Sequence, residues 1–133
     1  MRARKLRVAV LAVSSKKPGK LLLITSRNSK SWSLPKGRLD PFLSPLEAAR
    51  REAFEEAGVV GRMSSRPLGS FIHRNSRGTT YRVRVFTMHV QMQLTNWPEK
   101  KERRRRWVTV RAALELVVNA SLRRLIKSHF KRS

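Results

Sequence analysis

The apolar positions of this chain fall into short runs separated by polar and turn-forming residues. Residues 7–13 and 20–25 are dominated by Val, Leu, Ile and Ala, which predicts two short, mostly buried strands. Lys17-Pro18-Gly19 between them predicts the turn. Residues 26–31 form a polar Ser, Asn and Lys loop, and Trp32-Ser33-Leu34-Pro35-Lys36-Gly37 predicts a short extended piece ending in a tight turn. The period then changes. Ser44 can cap a helix, Pro45 suits its first position and Glu47 completes a Ser-x-x-Glu capping box. Leu46, Ala49, Ala53 and Ala57 recur at three- and four-residue spacing as one apolar stripe, and Gly58 ends the helix. Beyond it, residues 67–73 and 80–94 carry β-branched and aromatic residues, with Gly78 in the turn between them. Tyr81-Arg82-Val83-Arg84-Val85-Phe86 alternates in part, which predicts one buried and one basic face. Trp97-Pro98 breaks the pattern, residues 106–110 predict a further strand, and residues 112–118 and 121–130 predict helices with basic outer faces. Strands on both sides of a central helix, followed by terminal helices, indicate an α/β fold built in layers.

Length and composition bound this picture. A chain of 133 residues, 40 % hydrophobic, is expected to form one domain over residues 1–133 with a sizeable core. No apolar run approaches the roughly 18–20 residues of a membrane helix. The run at residues 8–13 is too short for a signal-peptide core and leads into Ser14-Ser15-Lys16-Lys17, so a soluble cytoplasmic protein with no membrane association is expected. Zero Cys excludes disulfide scaffolds, zinc–cysteine sites and thiol catalysis. Lys and Arg number 31 against 8 Asp and Glu, a net charge of +23. Such a charge attracts nucleic acid, polyphosphate, highly phosphorylated small molecules and anionic membrane surfaces, or simply keeps a small protein soluble, and charge alone does not choose among these.

The few acids are not scattered. Five of the eight, Asp40, Glu47, Glu52, Glu55 and Glu56, lie between positions 40 and 56. Glu52, Glu55 and Glu56 stand at i, i+3 and i+4, which puts three carboxylates on one helix face. Like charges so close repel. Either Arg50, Arg51 and other arginines neutralise them as an ordinary solvated face, or they bind a hard divalent cation through carboxylate oxygen. Taken alone, the triple favours the solvated face.

The surrounding spacing shifts the balance toward the cation. From Gly37 to Val59 the chain resembles the Nudix box, G-x5-E-x7-R-E-U-x-E-E-x-G-U with U apolar. Gly37, Arg51, Glu52, Glu55, Glu56, Gly58 and Val59 fall in register, with Ala53 at the first apolar position. Leu43 stands where the pattern has its first Glu, beside Phe42 where a small residue is common. That departure bears on the number of metals held and on rate. The resemblance implies the Nudix fold, a mixed β-sheet sandwiched between α-helices, and hydrolysis of a pyrophosphate bond with Mg2+ or Mn2+. Glu52 and Glu56 would be the chief metal ligands, helped by the backbone carbonyl of Gly37. Glu55 would orient or deprotonate the attacking water, and Arg51 would pair with a helix carboxylate and hold it in place. The chemistry is coherent: divalent metal neutralises phosphate oxygens and acidifies water, and a neighbouring carboxylate accepts the proton.

Substrate choice depends on residues outside the box. Phe71-Ile72-His73, Thr80-Tyr81-Arg82, Asn96-Trp97 and residues 103–108 are similar to the diphosphoinositol polyphosphate phosphohydrolase branch, which also cleaves diadenosine polyphosphates. Pro35-Lys36-Gly37-Arg38 departs from that branch's glycine-rich turn. Lys36 and Arg38 flank Gly37 and are expected to reach substrate phosphates, as are Arg82 and Arg84, which share one strand face. Of the four arginines at 103–106, at most two can face one site. Arg105 is the expected substrate contact, the others a solvated edge that discourages strand-to-strand aggregation. Lys16, Lys17, Arg27 and Lys30 add charge on early loops, while Arg123, Arg124, Lys127, Lys131 and Arg132 read as a solvated helix face. His73, His89 and His129 have no ligand spacing and read as structural. Trp32 and Trp107 either stack on a base or belong to the core rim, and Trp97 beside Pro98 reads as a turn anchor. The expected activity is thus metal-dependent hydrolysis of a strongly anionic, phosphorylated small molecule. Alternatives are removal of pyrophosphate from an RNA 5′ end, and a catalytically weak nucleic-acid-binding protein of the same fold.

Overall fold

The computed structural model describes residues 5–27 and 30–131; Arg132 of the C-terminal basic set lies outside the described residues. Strands β1 (Lys5–Ser14) and β2 (Lys17–Thr25) form an antiparallel hairpin. Its turn is Ser15-Lys16, closed by the Lys16 N–H on Ser14 Oγ at 3.2 Å, and not Lys17-Pro18-Gly19 as the sequence suggested. Those three residues belong to β2, where the register shifts from Ser14↔Lys17 to Val13↔Leu21. A bulge is where a strand tolerates proline, which has no N–H for the ladder, and Gly19 supplies the left-handed φ of +75°.

Past Val13 and Leu21 the two strands diverge. β3 (Trp32–Ser33) pairs with the end of β2 as Thr25↔Trp32, and β4 (Lys36–Arg38) pairs with the start of β1 as Val8↔Gly37. The segment that carries Gly37 is thereby laid along β1. The opposite edge of β1 runs parallel to β7 (Thr80–Gln93), which in turn pairs with β5 (Val59–Met63) and β6 (Gly69–Arg74), and β8 (Arg105–Thr109) closes the outer edge of β2. Strand β5 has no counterpart among the elements the sequence predicts. Its five residues include Gly61, against which the His89 carbonyl packs so closely that no Cβ fits.

Alternation along β1 sorts the core into two layers. Val8, Val10 and Ala12 face helix α1 (Pro45–Glu52), whose buried contacts are Ala48, Ala49 and the following Ala53 and Ala57. Small residues let this helix lie close on the sheet. Ala9 and Leu11 face the other way, toward Ala113 of α2 (Val110–Leu116) and Leu122 and Ile126 of α3 (Ala120–Phe130). The result is the mixed sheet between helical layers that the sequence implied. Among the described residues, no helix is long and apolar enough to cross a membrane.

The helix caps are local and specific. Ser44 Oγ accepts the Glu47 N–H at 3.1 Å, but the reciprocal arm of the capping box gives way to an ion pair of Glu47 with Arg50 at 3.1 Å. Asn119 caps α3 and donates from Nδ2 to the Ile72 carbonyl, while Ser121 Oγ accepts the Ile72 N–H, both at 2.9 Å. These bonds fasten α3 to β6.

Candidate active site

Helix α1 does not end as an α-helix. Its last stretch, Ala53–Ala57, is a π-helical turn, closed by Gly58 at φ +65°. Such wide turns concentrate at functional sites, and this one carries Glu55 and Glu56. A helix end leaves its last carbonyls without internal partners, and here the segment from Leu94 to Arg105 supplies them. The Glu99 N–H donates to Glu55 O at 3.0 Å, Trp97 Nε1 to Glu56 O at 3.0 Å, Arg105 Nη1 to Ala57 O at 2.9 Å, and the Leu94 N–H to Gly58 O at 2.8 Å. Trp97 is thus an anchor, though of the helix end rather than of its own turn.

Arg105 is engaged at the end of the helix. The sequence suggested a substrate contact, but its Nη2 also donates to Leu94 O at 2.6 Å and its guanidinium stacks 3.9 Å over the Trp97 ring. Its Nη1 and Nη2 donate to backbone carbonyls at the end of the helix and in the segment that closes it.

Glu52 lies directly against Gly37, in space that any side chain at position 37 would fill. Glu56 is 7 % exposed, with Oε1 accepting the Lys36 N–H at 3.1 Å and Oε2 paired with Arg103 Nη2 at 3.3 Å. Burial pushes Glu52 up to about 7, and the neighbouring charges of Glu56 and Glu55 add to the rise. Burial also raises Glu56, opposed by Arg103 and by the Lys36 N–H.

Arg51 reaches outward. Its Nη1 donates to Asp40 Oδ2 at 2.9 Å, and its Nε stands 4.0 Å from both Glu52 Oε2 and Glu55 Oε2. The pairing with helix carboxylates expected for Arg51 is therefore the longer contact. The closer partner, Asp40, belongs to the loop before α1.

The donor chemistry suits a hard divalent cation. Two carboxylates crowded together gain from a cation between them, and no side chain at Gly37 stands in the way of Glu52. Among the described residues no group of three or more Asp, Glu or His converges as a metal cage; Glu52 and Glu56 are the pair of side chains that could hold such an ion, with backbone at Gly37 the expected further ligand.

The expected phosphate contacts divide between the two sheet faces. Arg84 pairs beside Val8 and Arg82 beside Leu6, which puts both on the face that packs under α1, the face of Gly37 and Glu52. Arg82 Nε donates to Ser70 Oγ at 3.2 Å on that face. Lys36 and Arg38 oppose Ala9 and Arg7, so they project from the other face. There burial lowers the Lys36 ammonium, and the charges of Arg103 and Arg7 lower it further while Glu56 opposes them. His73 is lowered by burial and then by Lys36 and Arg7, and Arg7 itself stacks 4.1 Å over Tyr81. No local signal in the sequence marks Arg7. Its place follows only from β1 lying between β4 and β7. Trp32 and Trp107 pack at the rims of the two cores, and Trp107 Nε1 donates to Gln93 Oε1 at 2.7 Å.

The comparisons with known proteins agree with this architecture. A family model described as NUDIX domain matches residues 4–128. The chain is 40 % identical over 103 residues to Nudix hydrolase 12, mitochondrial, of Arabidopsis thaliana, covering 72 % of this chain and 51 % of that protein. It is 34 % identical over 116 residues to diphosphoinositol polyphosphate phosphohydrolase 3-beta of Bos taurus, covering 85 % of this chain and 69 % of that protein. The chain spans about half the length of several of the curated plant relatives it matches. Among solved structures, a MutT protein from Methanosarcina mazei superposes with a TM-score of 0.78 at 21 % identity, covering 99 % of this chain and 98 % of that one. A C. elegans Ap4A hydrolase binary complex gives 0.69 at 17 % identity, with 92 % and 93 % covered. Those two likenesses are of fold. With the family model spanning nearly the whole sequence and the box residues gathered at the end of α1, the chain belongs to the NUDIX domain family.

Proposed function

We propose that this chain hydrolyses a pyrophosphate bond in a strongly anionic small molecule, of the diphosphoinositol polyphosphate or diadenosine polyphosphate type. The observation that carries the reading is the crowding of Glu52 with Glu56 beside Gly37, where no side chain at position 37 stands in the way. Glu52, Glu56 and the Gly37 carbonyl would hold Mg2+ or Mn2+, which when bound supplies charge neutralisation of phosphate oxygens and a more acidic water. Glu55, on the same helix and more open to solvent than Glu56, orients the attacking water and takes its proton. Arg51 holds Glu52 and Glu55 in line from 4.0 Å while anchored on Asp40. Arg82 and Arg84, on the Gly37 face, bind the remaining phosphates, while Lys36 and Arg38 project from the opposite face.

The substrate type is supported by the relatives named diphosphoinositol polyphosphate phosphohydrolases and by the net charge of +23. The reading includes the cytosol as compartment, although several relatives are named mitochondrial. The test is product release from an inositol pyrophosphate, diadenosine polyphosphates, a nucleoside diphosphate sugar and triphosphorylated RNA, with Mg2+ and then Mn2+, at neutral and alkaline pH. Turnover of the first two that vanishes in Glu56→Gln is expected. Turnover surviving in that variant, or none by folded wild-type protein, overturns the proposal. Preference for RNA moves the substrate assignment and leaves the chemistry intact.

A further inference from the structure

Glu99 lies outside the box, yet one shared cation joins it to Glu56. The Arg103 guanidinium sits between them, with Nε donating to Glu99 Oε1 at 2.7 Å and Nη2 reaching Glu56 Oε2 at 3.3 Å. Its Nη1 donates to Thr25 O at 3.1 Å. All three side chains are largely buried, Arg103 at 11 % exposure, Glu56 at 9 % and Glu99 at 17 %. The two acids are also fixed independently of Arg103, Glu56 by the Lys36 N–H and Glu99 by its own N–H on Glu55 O. Arg27 pairs with Glu99 from the solvent side at 2.9 Å.

Two anchored carboxylates converging on one point in a poorly hydrated setting form an arrangement a hard cation would take. Here the point is filled by a side chain. A guanidinium cannot lose its proton, carries donors only, and spans two carboxylates with its planar fork. Its charge is therefore permanent, unlike that of an exchangeable ion.

We propose that Arg103 is a positioning residue that serves as a built-in cation. It takes the place between Glu56 and Glu99 that a further divalent ion would otherwise occupy, holds Glu56 toward Glu52, and keeps Glu99 out of metal coordination. The inference rests on Glu52 and Glu56 being metal ligands, as argued above. The consequence is a metal centre built from the box residues without the loop carboxylate.

Counting bound Mn2+ per chain by electron paramagnetic resonance titration tests this, with hydrolysis followed in parallel on the same wild-type protein. Wild type and Glu99→Gln are expected to bind the same number of Mn2+ ions. Arg103→Met is expected to bind one more, and to lose it again in the Arg103→Met/Glu99→Gln double variant. Equal counts in wild type and folded Arg103→Met overturn the proposal, as does an extra ion that survives the second substitution. Should Arg103→Met fail to fold, the Glu99→Gln arm still decides, because loss of a Mn2+ from the wild-type background would make Glu99 a ligand and overturn it. Wild type that binds no Mn2+ overturns the metal-ligand reading itself, a separate result from wild type that binds metal and responds wrongly at Arg103 or Glu99.

Discussion

Arg51 Nη1 donates to Asp40 Oδ2 at 2.9 Å, and this pair ties the loop before α1 to the carboxylate end of that helix. The other Asp40 oxygen accepts the Phe42 N–H at 2.8 Å, and its carbonyl accepts the Leu43 N–H at 3.1 Å. The Phe42 N–H first, and the Arg51 guanidinium second, hold the Asp40 carboxyl below the usual range. Leu43 has no carboxylate to offer. The loop's charge toward Arg51 comes from three residues earlier, at a position the box pattern leaves free.

Asp40→Asn separates these roles. The amide oxygen keeps the Phe42 bond and the loop turn, while Arg51 loses its charged partner. Because partners of metal-ligating groups are worth about 10- to 100-fold in metal affinity or activity, a loss of that size is expected in the Mn2+ dependence of hydrolysis. Stability should hardly move, since solvent screens this exposed pair. A large fall in stability with unchanged metal dependence would reduce Asp40 to a loop residue.

Gly37→Ala is expected to be a folded protein with failed chemistry. The new methyl occupies the place of the Glu52 carboxyl, on a short edge strand with room to shift. Misplacing a reacting group by an ångström costs about 100-fold, the expected fall in turnover. Gly58→Ala should behave in the opposite sense. A side chain there needs φ +65° and meets Arg105 and Trp97 at 2.8 Å, so unfolding in urea should come earlier, by at least the roughly 1–2 kcal/mol of a left-handed non-glycine residue.

Much of this was legible in the sequence, for reasons that mark its limits. The helix of residues 45–57 announced itself through Ser44, Pro45 and the alanine stripe, all local signals. The carboxylates on it were legible because fixed spacing fixes a helix face. The hairpin turn was misplaced because Pro18-Gly19 is equally good chemistry for a bulge, and only cross-strand register separates the two. Arg103, Asp40 and Trp97 escaped notice as parts of the site because their partners lie 47, 11 and 41 positions away along the chain. Nothing in a run of four arginines tells which one turns inward.

The metal-free protein should respond to pH in two windows. Glu52 and Glu56 are raised in the folded state, so the stability they confer is fully present below the ordinary carboxylate range. It is lost as pH rises through the folded value, about 7 for Glu52, because the native state must then shed protons the unfolded chain has already lost. Asp40 is lowered, so its contribution is present above that range and fades in acid. Thermal unfolding in EDTA should therefore show highest stability in mildly acidic solution and a decline toward pH 7 and above. Glu52→Gln should flatten that decline. A melting temperature that climbs steadily through neutral pH would contradict the crowding of the two carboxyls.

Arg105→Lys distinguishes a clamp from a substrate contact. Lysine keeps the charge but not the planar fork, so a phosphate would still find a cation while the Ala57 and Leu94 carbonyls would lose paired donors. Leaving such groups unmade costs about 1–3 kcal/mol, and urea unfolding should come earlier by that amount. KM for an anionic substrate should hardly change in protein that remains folded. Arg82→Ala is expected to show the reverse, since Arg82 is exposed on the Gly37 face and is held there through its Nε on Ser70 Oγ. There KM should rise while unfolding stays within about 0.5 kcal/mol of wild type. A KM effect at Arg105 without loss of stability would return that residue to the substrate, and would mean that the helix end is held by Trp97 and Glu99 without it.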